Sequence, residues 1–448
     1  MATQTLARFA PARFTTFRFL ARTIDADGEV ALRYALDDEL EFTERISLPL
    51  DRPLGAPERE RLDGLLALLH WVAGVSYFKT AAPPEIRCEA GAPGPATADL
   101  LEALYSEGLG EFAYTNRLAS LPRPRFPRAP ASAVVADEGP PAPRRVLVPV
   151  GGGKDSIVAL EVVARAGVDA GLFSVGAAPP IERTVAIAGL PWLQARRVLD
   201  PKLGELNRTG ALNGHVPVTA IVTCIALLAA AANGYDAVAM ANERSASSGN
   251  VEWGGVEVNH QFSKGLRAER LLSAALREIQ GAPRAFSVLR PASELAIARA
   301  FARLERYHAA FTSCNAIFRL DPELRAASWC CECPKCRFVY LVLAPFSEPQ
   351  HLRAIFGRDL LGEEHQRDGF ALLTATGGHK PFECVGEERE SAAALGMLAE
   401  DPRWRDHSVV RALAREVPAG DPASVLALSD EHDVPPLFLP HIDALLGA

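Results

Sequence analysis

Residues 145–163 read RVLVPVGGGKDSIVALEVV. An apolar run of strand length passes into three consecutive glycines and then into a segment with helical spacing. No other stretch constrains the fold as strongly. Glycines after a strand leave backbone N–H groups free to point inward, and the following helix adds its positive N-terminal end. A Cβ at these positions would block close approach of a phosphate. The turn therefore reads as a phosphate cradle. The Walker A spacing is absent, and Ser156 stands where a dinucleotide fingerprint needs its third glycine.

The flanking pattern extends this reading. RVLVPV, AGLFSV (170–175), ARRVL (195–199), DAVAMA (236–241) and FSVLRP (286–291) are strand candidates separated by helical segments. That alternation predicts an α/β fold with a doubly wound parallel sheet covered on both faces. Upstream, residues 13–50 alternate apolar and polar around Asp27-Gly28, which predicts a β-hairpin, and helical spacing follows over 58–75. The Pro/Ala-rich stretch 121–144 reads as a linker or strap. The expected organisation is an N-terminal α+β domain (1–130), a linker (131–144), the central α/β domain (145–345) and a mainly helical C-terminal region (346–448).

Composition narrows the classes. The chain is 48% apolar and 23% charged, as in globular proteins, and its net charge of −8 speaks against a nucleic-acid binder. The most apolar window, VPVTAIVTCIALLAAAA (216–232), is short for a membrane span and carries Pro217. It reads as a buried helix, so no membrane association is expected. No apolar leader is visible at the N-terminus, which places the protein in the cytoplasm by default.

Ligands of open parallel sheets sit at the carboxyl ends of strands. Asn242, Glu243 and Arg244 directly follow a strand candidate, so Glu243 suits Mg²⁺ and Arg244 a bidentate phosphate contact. Ser174 ends the second strand. Further on, His260, Lys264 and Arg267 are spaced to share one side of a helix start, a basic surface for an acidic ligand or pyrophosphate. Four of the eight cysteines crowd into CCECPKC (330–336), and Cys314 lies sixteen residues before Cys330. Cys314, Cys330, Cys333 and Cys336 suit tetrahedral zinc, with Cys331 as the spare. An iron–sulfur cluster or a metal-free cluster are the alternatives.

Gly151-Gly152-Gly153-Lys154-Asp155-Ser156 resembles the PP-loop of the N-type ATP pyrophosphatases, with Gly151 in place of the usual leading serine. The resemblance implies an ATP site in which the loop grips the pyrophosphate and cleavage yields AMP and PPi. Ser156 would donate to a phosphate oxygen, Asp155 would hold Mg²⁺ or order the loop, and Ser174 would lie by the adenine. The cysteine arrangement resembles the zinc site of the 7-cyano-7-deazaguanine synthases, another PP-loop family. Over its full length, through MANERSASSGN, NHQFSKG and TGGHKPFECVGEE, the chain resembles the ATP-dependent UDP-N-acetylmuramoyl-L-alanyl-L-glutamate epimerase (MurL) family. That implies inversion of the terminal L-Glu of UDP-MurNAc-L-Ala-L-Glu in peptidoglycan precursor synthesis. A PP-loop ligase or base-modifying synthetase is the alternative enzyme class, and a non-catalytic nucleotide sensor is the third reading.

Such chemistry needs a base with a tuned pKa, because the α-proton of a free carboxylate is barely acidic and adenylation makes it removable. GGHKPFEC offers His379, Lys380, Glu383 and Cys384, while His215 and His260 are rivals. Lys380 would alternatively bind a carboxylate or phosphate of the substrate.

Overall fold

The computed structural model of the chain describes residues 8–130, 142–318, 323, 325–374, 380–418 and 420–447. Among the described residues eleven strands are formed: β1 (Thr16–Ile24), β2 (Glu29–Leu36), β3 (Leu40–Ser47), β4 (Glu85–Cys88), β5 (Arg145–Pro149), β6 (Asp169–Val175), β7 (Trp192–Val198), β8 (Ala237–Met240), β9 (Val251–Trp253), β10 (Val256–Val258) and β11 (Arg284–Ser287). Nine of them make one sheet in the order β11-β8-β5-β6-β7-β3-β2-β1-β4, and β9 and β10 make a two-stranded sheet. The five strands expected after residue 144 are all present, with boundaries shifted by one to four residues. The fold is the expected α/β type.

The chain divides into two compact units. Unit 1 comprises Met1–Leu147, Leu193–Val238 and Trp253–Ala285; unit 2 comprises Val148–Trp192, Ala239–Glu252 and Phe286–Ala448.

In unit 1 the expected hairpin is a three-stranded meander. The Asp-Gly turn between β1 and β2 forms as read: Gly28 has φ +82°, and the Asp25 carboxylate accepts from the Asp27 and Glu29 amides at 2.9 Å. The second reversal was not legible as a turn, because it has no glycine. Asp37 takes the left-handed conformation there (φ +48°), and its carboxylate accepts from the Thr16 amide at 2.8 Å. β3 then pairs antiparallel with β7, with Ile46 opposite Arg197. The N-terminal strands thus extend the sheet of the alternating region instead of forming their own. A buried ion pair marks this seam: Arg197 Nε and Nη2 donate to the two Glu44 carboxylate oxygens at 2.7 and 3.1 Å, with Glu44 fully buried.

Alternate residues of β1–β3 point inward, so Phe17, Phe19, Tyr34 and Phe42 form an aromatic core with Tyr77, Phe78 and Tyr105. The apolar window is the helix Val218–Ala232, buried from Ile221 through Ala230 apart from Val222, and packed on the helix Ala56–Ala73. Among the described residues, no helix is long and apolar enough to cross a membrane.

Unit 2 holds the glycine loop, the cysteine cluster and the C-terminal helices. Val150 continues β5 by donating to Phe173 O of β6 at 2.8 Å, which aims the chain into the glycines.

Candidate functional site

The glycine loop leads into the helix Lys154–Arg165. Gly152 has φ +77°, and a Cβ there would stand 2.6 Å from Pro180 Cβ and 2.7 Å from the Pro180 carbonyl carbon. Only glycine fits. Gly152 O accepts from Thr312 N at 2.9 Å, and a Cβ on Gly153 would meet Ser313 Oγ at 2.7 Å. Gly153 is the N-cap and offers no side-chain acceptor, so the first-turn amides stay available to a ligand. Ser156 Oγ closes the loop from within: it donates to Gly153 O at 3.0 Å and accepts from Gly151 N at 3.3 Å. A Cβ on Gly151 would meet nothing within 4 Å.

Lys154 turns into the protein. It is fully buried, and its Nζ bonds to Asp155 and to Glu294, at the start of the helix Glu294–Ala302. Burial pulls its pKa down, but the two carboxylates outweigh it and hold the ammonium charged. Glu294 lies 3.7 Å from Lys335 Nζ, which also donates to Cys384 O. Burial first, then the Asp155 charge, raise the Glu294 carboxyl.

Glu294 N donates to Glu390 Oε1 at 2.9 Å, Ser245 Oγ donates to the same oxygen at 3.1 Å, and Glu387 N donates to Glu390 Oε2 at 2.8 Å. Glu390 is buried, and that burial, reinforced by Glu294, pushes its carboxyl up to about 8. Gly386 lets this segment close on the network; a Cβ there would stand 2.6 Å from Phe338 Cζ.

Lys380 and Glu243 are buried charged side chains of unit 2. Lys380 is 4% exposed, and its Nζ has no hydrogen-bond partner among the described residues. Burial lowers its pKa, against the opposing charges of Glu390, Glu387 and Glu243. Glu243 is also 4% exposed, and its carboxylate makes no ion pair among the described residues. Its backbone carbonyl accepts from Arg290 Nη1.

The other expected site residues fall as follows. Asn242 Nδ2 donates to Ser287 Oγ at 2.9 Å. Arg244 donates through Nη1 and Nη2 to Ala427 O and Val425 O, both at 3.1 Å, so its fork grips a C-terminal turn. Ser174 Oγ donates to Gly176 O at 2.8 Å and accepts from Trp192 Nε1 at 3.0 Å. Cys384 is half-buried, and Glu383 accepts from Asn315 Nδ2. His379 lies outside the described residues.

His260 and Lys264 belong to unit 1, where His260 Nδ1 bonds to Glu111 and Lys264 Nζ donates to Gln261 Oε1 at 3.4 Å. His215 is beside them, and burial followed by the His260 charge lowers it to about 4.

The sequence reading missed Glu294, Lys335 and Glu390. Glu294 follows the helix cap Ser293, and Glu390 sits in a capping box with Glu387, so both look like ordinary first-turn acids. Lys335 lies inside the cysteine motif, which hid it.

Cys314, Cys330, Cys333 and Cys336 converge with their sulfurs within 4.8 Å of one another. Cys330–Cys336 and Cys333–Cys336 separations are 3.7 and 3.5 Å, far beyond a disulfide and close to the ~3.8 Å edge of a tetrahedron with Zn–S bonds near 2.3 Å. Cys336 N donates to Cys333 Sγ at 3.4 Å, so the helix Pro334–Leu343 presents both ligands from its first turn. Hydrogen bonds from Cys333 and Cys336 lower the Cys314 thiol, and the same contacts raise that of Cys336. Cys331 stands apart as expected, donating to Phe356 O at 3.3 Å, with burial raising its thiol to about 11. The donor set fits zinc.

Residues 8–288 match the model of the MurL N-terminal domain, and residues 310–426 match that of the MurL C-terminal domain. The UDP-N-acetyl-alpha-D-muramoyl-L-alanyl-L-glutamate epimerase of Salinispora tropica is 48% identical, covering 91% of this chain and 90% of its own length. The protein of that name from a Micromonospora species is 47% identical over 95% of this chain and 97% of its own. The one from Xanthomonas oryzae pv. oryzae is 43% identical over 98% and 99%. No solved structure matches the chain.

Proposed function

The chain belongs to the MurL family, and from that premise we propose that it inverts the terminal L-Glu of UDP-MurNAc-L-Ala-L-Glu to D-Glu while converting ATP to AMP and PPi. The observation that carries the mechanism is the buried Lys380, whose Nζ has no hydrogen-bond partner among the described residues. Leaving such a group dry and unpaired costs about 1–3 kcal/mol or more, so a site that retains it is built for something that arrives.

The substrate α-carboxylate attacks the α-phosphorus of ATP, and PPi leaves. The negative charge on the carboxyl group is thereby replaced by an acyl-phosphate bond, and the Cα proton becomes acidic. Gly151, Gly152 and Gly153 bring backbone amides and the helix end to the phosphates. Asp155 and Glu243 would hold Mg²⁺, which supplies charge neutralisation on the departing pyrophosphate when bound. Glu243 fits that role, as a buried carboxylate with no ion-pair partner among the described residues. Lys154 serves the loop from behind, fixing Asp155 and Glu294.

Lys380, its pKa lowered by burial, takes the Cα proton as a neutral amine. Cys384 and His379 are the candidate donors for return of a proton to the opposite face of the substrate Cα. Returning a proton there inverts the centre, and water then attacks the acyl carbonyl to release AMP and the D-glutamate product. Cys314, Cys330, Cys333 and Cys336 would hold Zn²⁺ as a structural clamp on the segment that carries Lys335. The eight free cysteines fit a reducing cytoplasm, where the ATP is also found.

Incubation with UDP-MurNAc-L-Ala-L-Glu, ATP and Mg²⁺ in deuterium oxide tests the proposal. The expected result is AMP and PPi formation, deuterium at Glu Cα, and D-glutamate on chiral analysis after hydrolysis. Glutamate that stays L and unlabelled, or an amidated product, would overturn it.

A further inference from the structure

Unit 1 assembles a second group of metal-binding side chains that the proposed reaction does not use. We propose that Glu111, His215 and His260 form a site for a divalent transition-metal ion of the zinc class, with one coordination position left for an oxygen ligand. His260 Nδ1 contacts Glu111 Oε2, and His215 Nδ1 lies 3.7 Å from the same oxygen. The two imidazole centroids are 4.3 Å apart with 42° between the ring planes. One donor atom from each residue lies within 4.8 Å of the other two. Ligands of a tetrahedral ion with bonds of about 2.0–2.1 Å stand roughly 3.3 Å apart, so these atoms need only small shifts to close on one. The side chains keep 15–20% of their surface exposed, which leaves an approach for a fourth ligand. Two histidines and one glutamate with an open position is a donor set that binds zinc and also suits Fe²⁺ or Mn²⁺.

The backbone is arranged to bring the three donors together. Glu111 belongs to the short helix Gly110–Thr115, His215 to the loop before the helix Val218–Ala232, and His260 follows β10. Glycines stand where these segments touch. A Cβ on Gly108 would lie 3.3 Å from Pro217 Cβ, one on Gly110 3.3 Å from Val258 Cγ1, and one on Gly214 3.4 Å from Phe112 Cδ2. Asn116 Nδ2 donates to both Phe112 O and Asn213 O at 2.8 Å, tying the His215 loop to the end of the Glu111 helix. Lys79 Nζ donates to Asn213 Oδ1 and holds the loop from its other side. The positions are thus set by packing and hydrogen bonds that include none of the three donors. A carboxylate orienting one histidine would need a single imidazole. A second imidazole with the same ring nitrogen turned to the same oxygen is the added feature that a metal centre requires.

The test is metal content, independent of the epimerase reading. Full-length protein is titrated with Zn²⁺ and with Co²⁺, counting bound equivalents by elemental analysis after desalting. Variants are Glu111→Gln, His215→Asn with His260→Gln, and Cys333→Ser with Cys336→Ser. The wild type is expected to bind one equivalent more than either the glutamate or the histidine variant, and these variants keep the absorption from cobalt–thiolate charge transfer. The cysteine variant is expected to keep one equivalent of Co²⁺ with weak visible bands and no thiolate transition. Equal equivalents in the wild type and in both Glu111→Gln and the histidine variant, or no Co²⁺ retained by the cysteine variant, would overturn the site.

Discussion

Lys154 and Glu294 are paired in the interior of unit 2 although 140 residues separate them along the chain. The lysine that follows the glycine loop therefore faces the protein and not the loop mouth. Through Glu294 it is linked to Lys335 and Glu390, so the phosphate-loop helix, the cysteine segment and the C-terminal helix Glu388–Glu400 share one buried polar network. A network of this kind is sensitive to the loss of any member, because the partner left behind stays dry.

Lys380 is expected to be the proton-transfer base. Lys380→Met should lower epimerisation and Cα deuterium exchange by roughly 10²–10⁴-fold while leaving substrate-dependent PPi release measurable. The amine is active when neutral, so the wild-type rate should rise with pH through its lowered pKa. A variant that retained wild-type deuterium exchange would exclude the role.

Glu390 should make the fold weaken as the pH rises. Its folded pKa of about 8 lies above the ordinary carboxyl value of 4.5, so its contribution is fully present below 4.5 and is lost as the pH climbs through 8. Urea unfolding at pH 5 and at pH 8.5 measures this difference. Glu390→Gln should flatten it, with a loss of about 1–3 kcal/mol at low pH from the disturbed acceptors of the Glu294 and Glu387 amides.

Arg197→Met leaves the Glu44 carboxylate buried without its guanidinium at the β3–β7 seam. Breaking such a pair from one side costs about 3–5 kcal/mol. Combining it with Glu44→Gln should restore part of that loss, read as the urea midpoint of the double variant against the single one.

Gly152→Ala combines a φ of +77° with a 2.6 Å clash against Pro180. ATP binding by calorimetry should fall at least tenfold. Gly151→Ser meets open space and should fold normally, adding the hydroxyl typical of PP-loops. Equal ATP affinities for Gly152→Ala and wild type would show that the loop does not hold the nucleotide.

Cys333→Ser with Cys336→Ser should remove about one equivalent of bound zinc and lower the melting temperature, since both sulfurs complete the four-sulfur set. Elemental analysis and a thermal melt check it.

What the chain carries locally was readable from it. The glycine loop, the strand–helix alternation, the Asp-Gly turn and the C-x-x-C-x-x-C spacing are each set by neighbours a few residues apart, and each recurs in the structure. Cys333 and Cys336 converge for a similar reason: a helix start presents residues three apart on one side. The turn at Asp37 was hidden because an aspartate can take a conformation usually marked by glycine. Tertiary structure alone decided which polar groups are buried, which are satisfied and which are left waiting. Lys154, an apparent phosphate ligand by its position, is consumed by Glu294, and Arg244 is consumed by two backbone carbonyls. Lys380 Nζ remains without a hydrogen-bond partner among the described residues. The physical reason is that desolvation and pairing depend on contacts between segments far apart in the chain, and residue type and spacing do not encode those contacts.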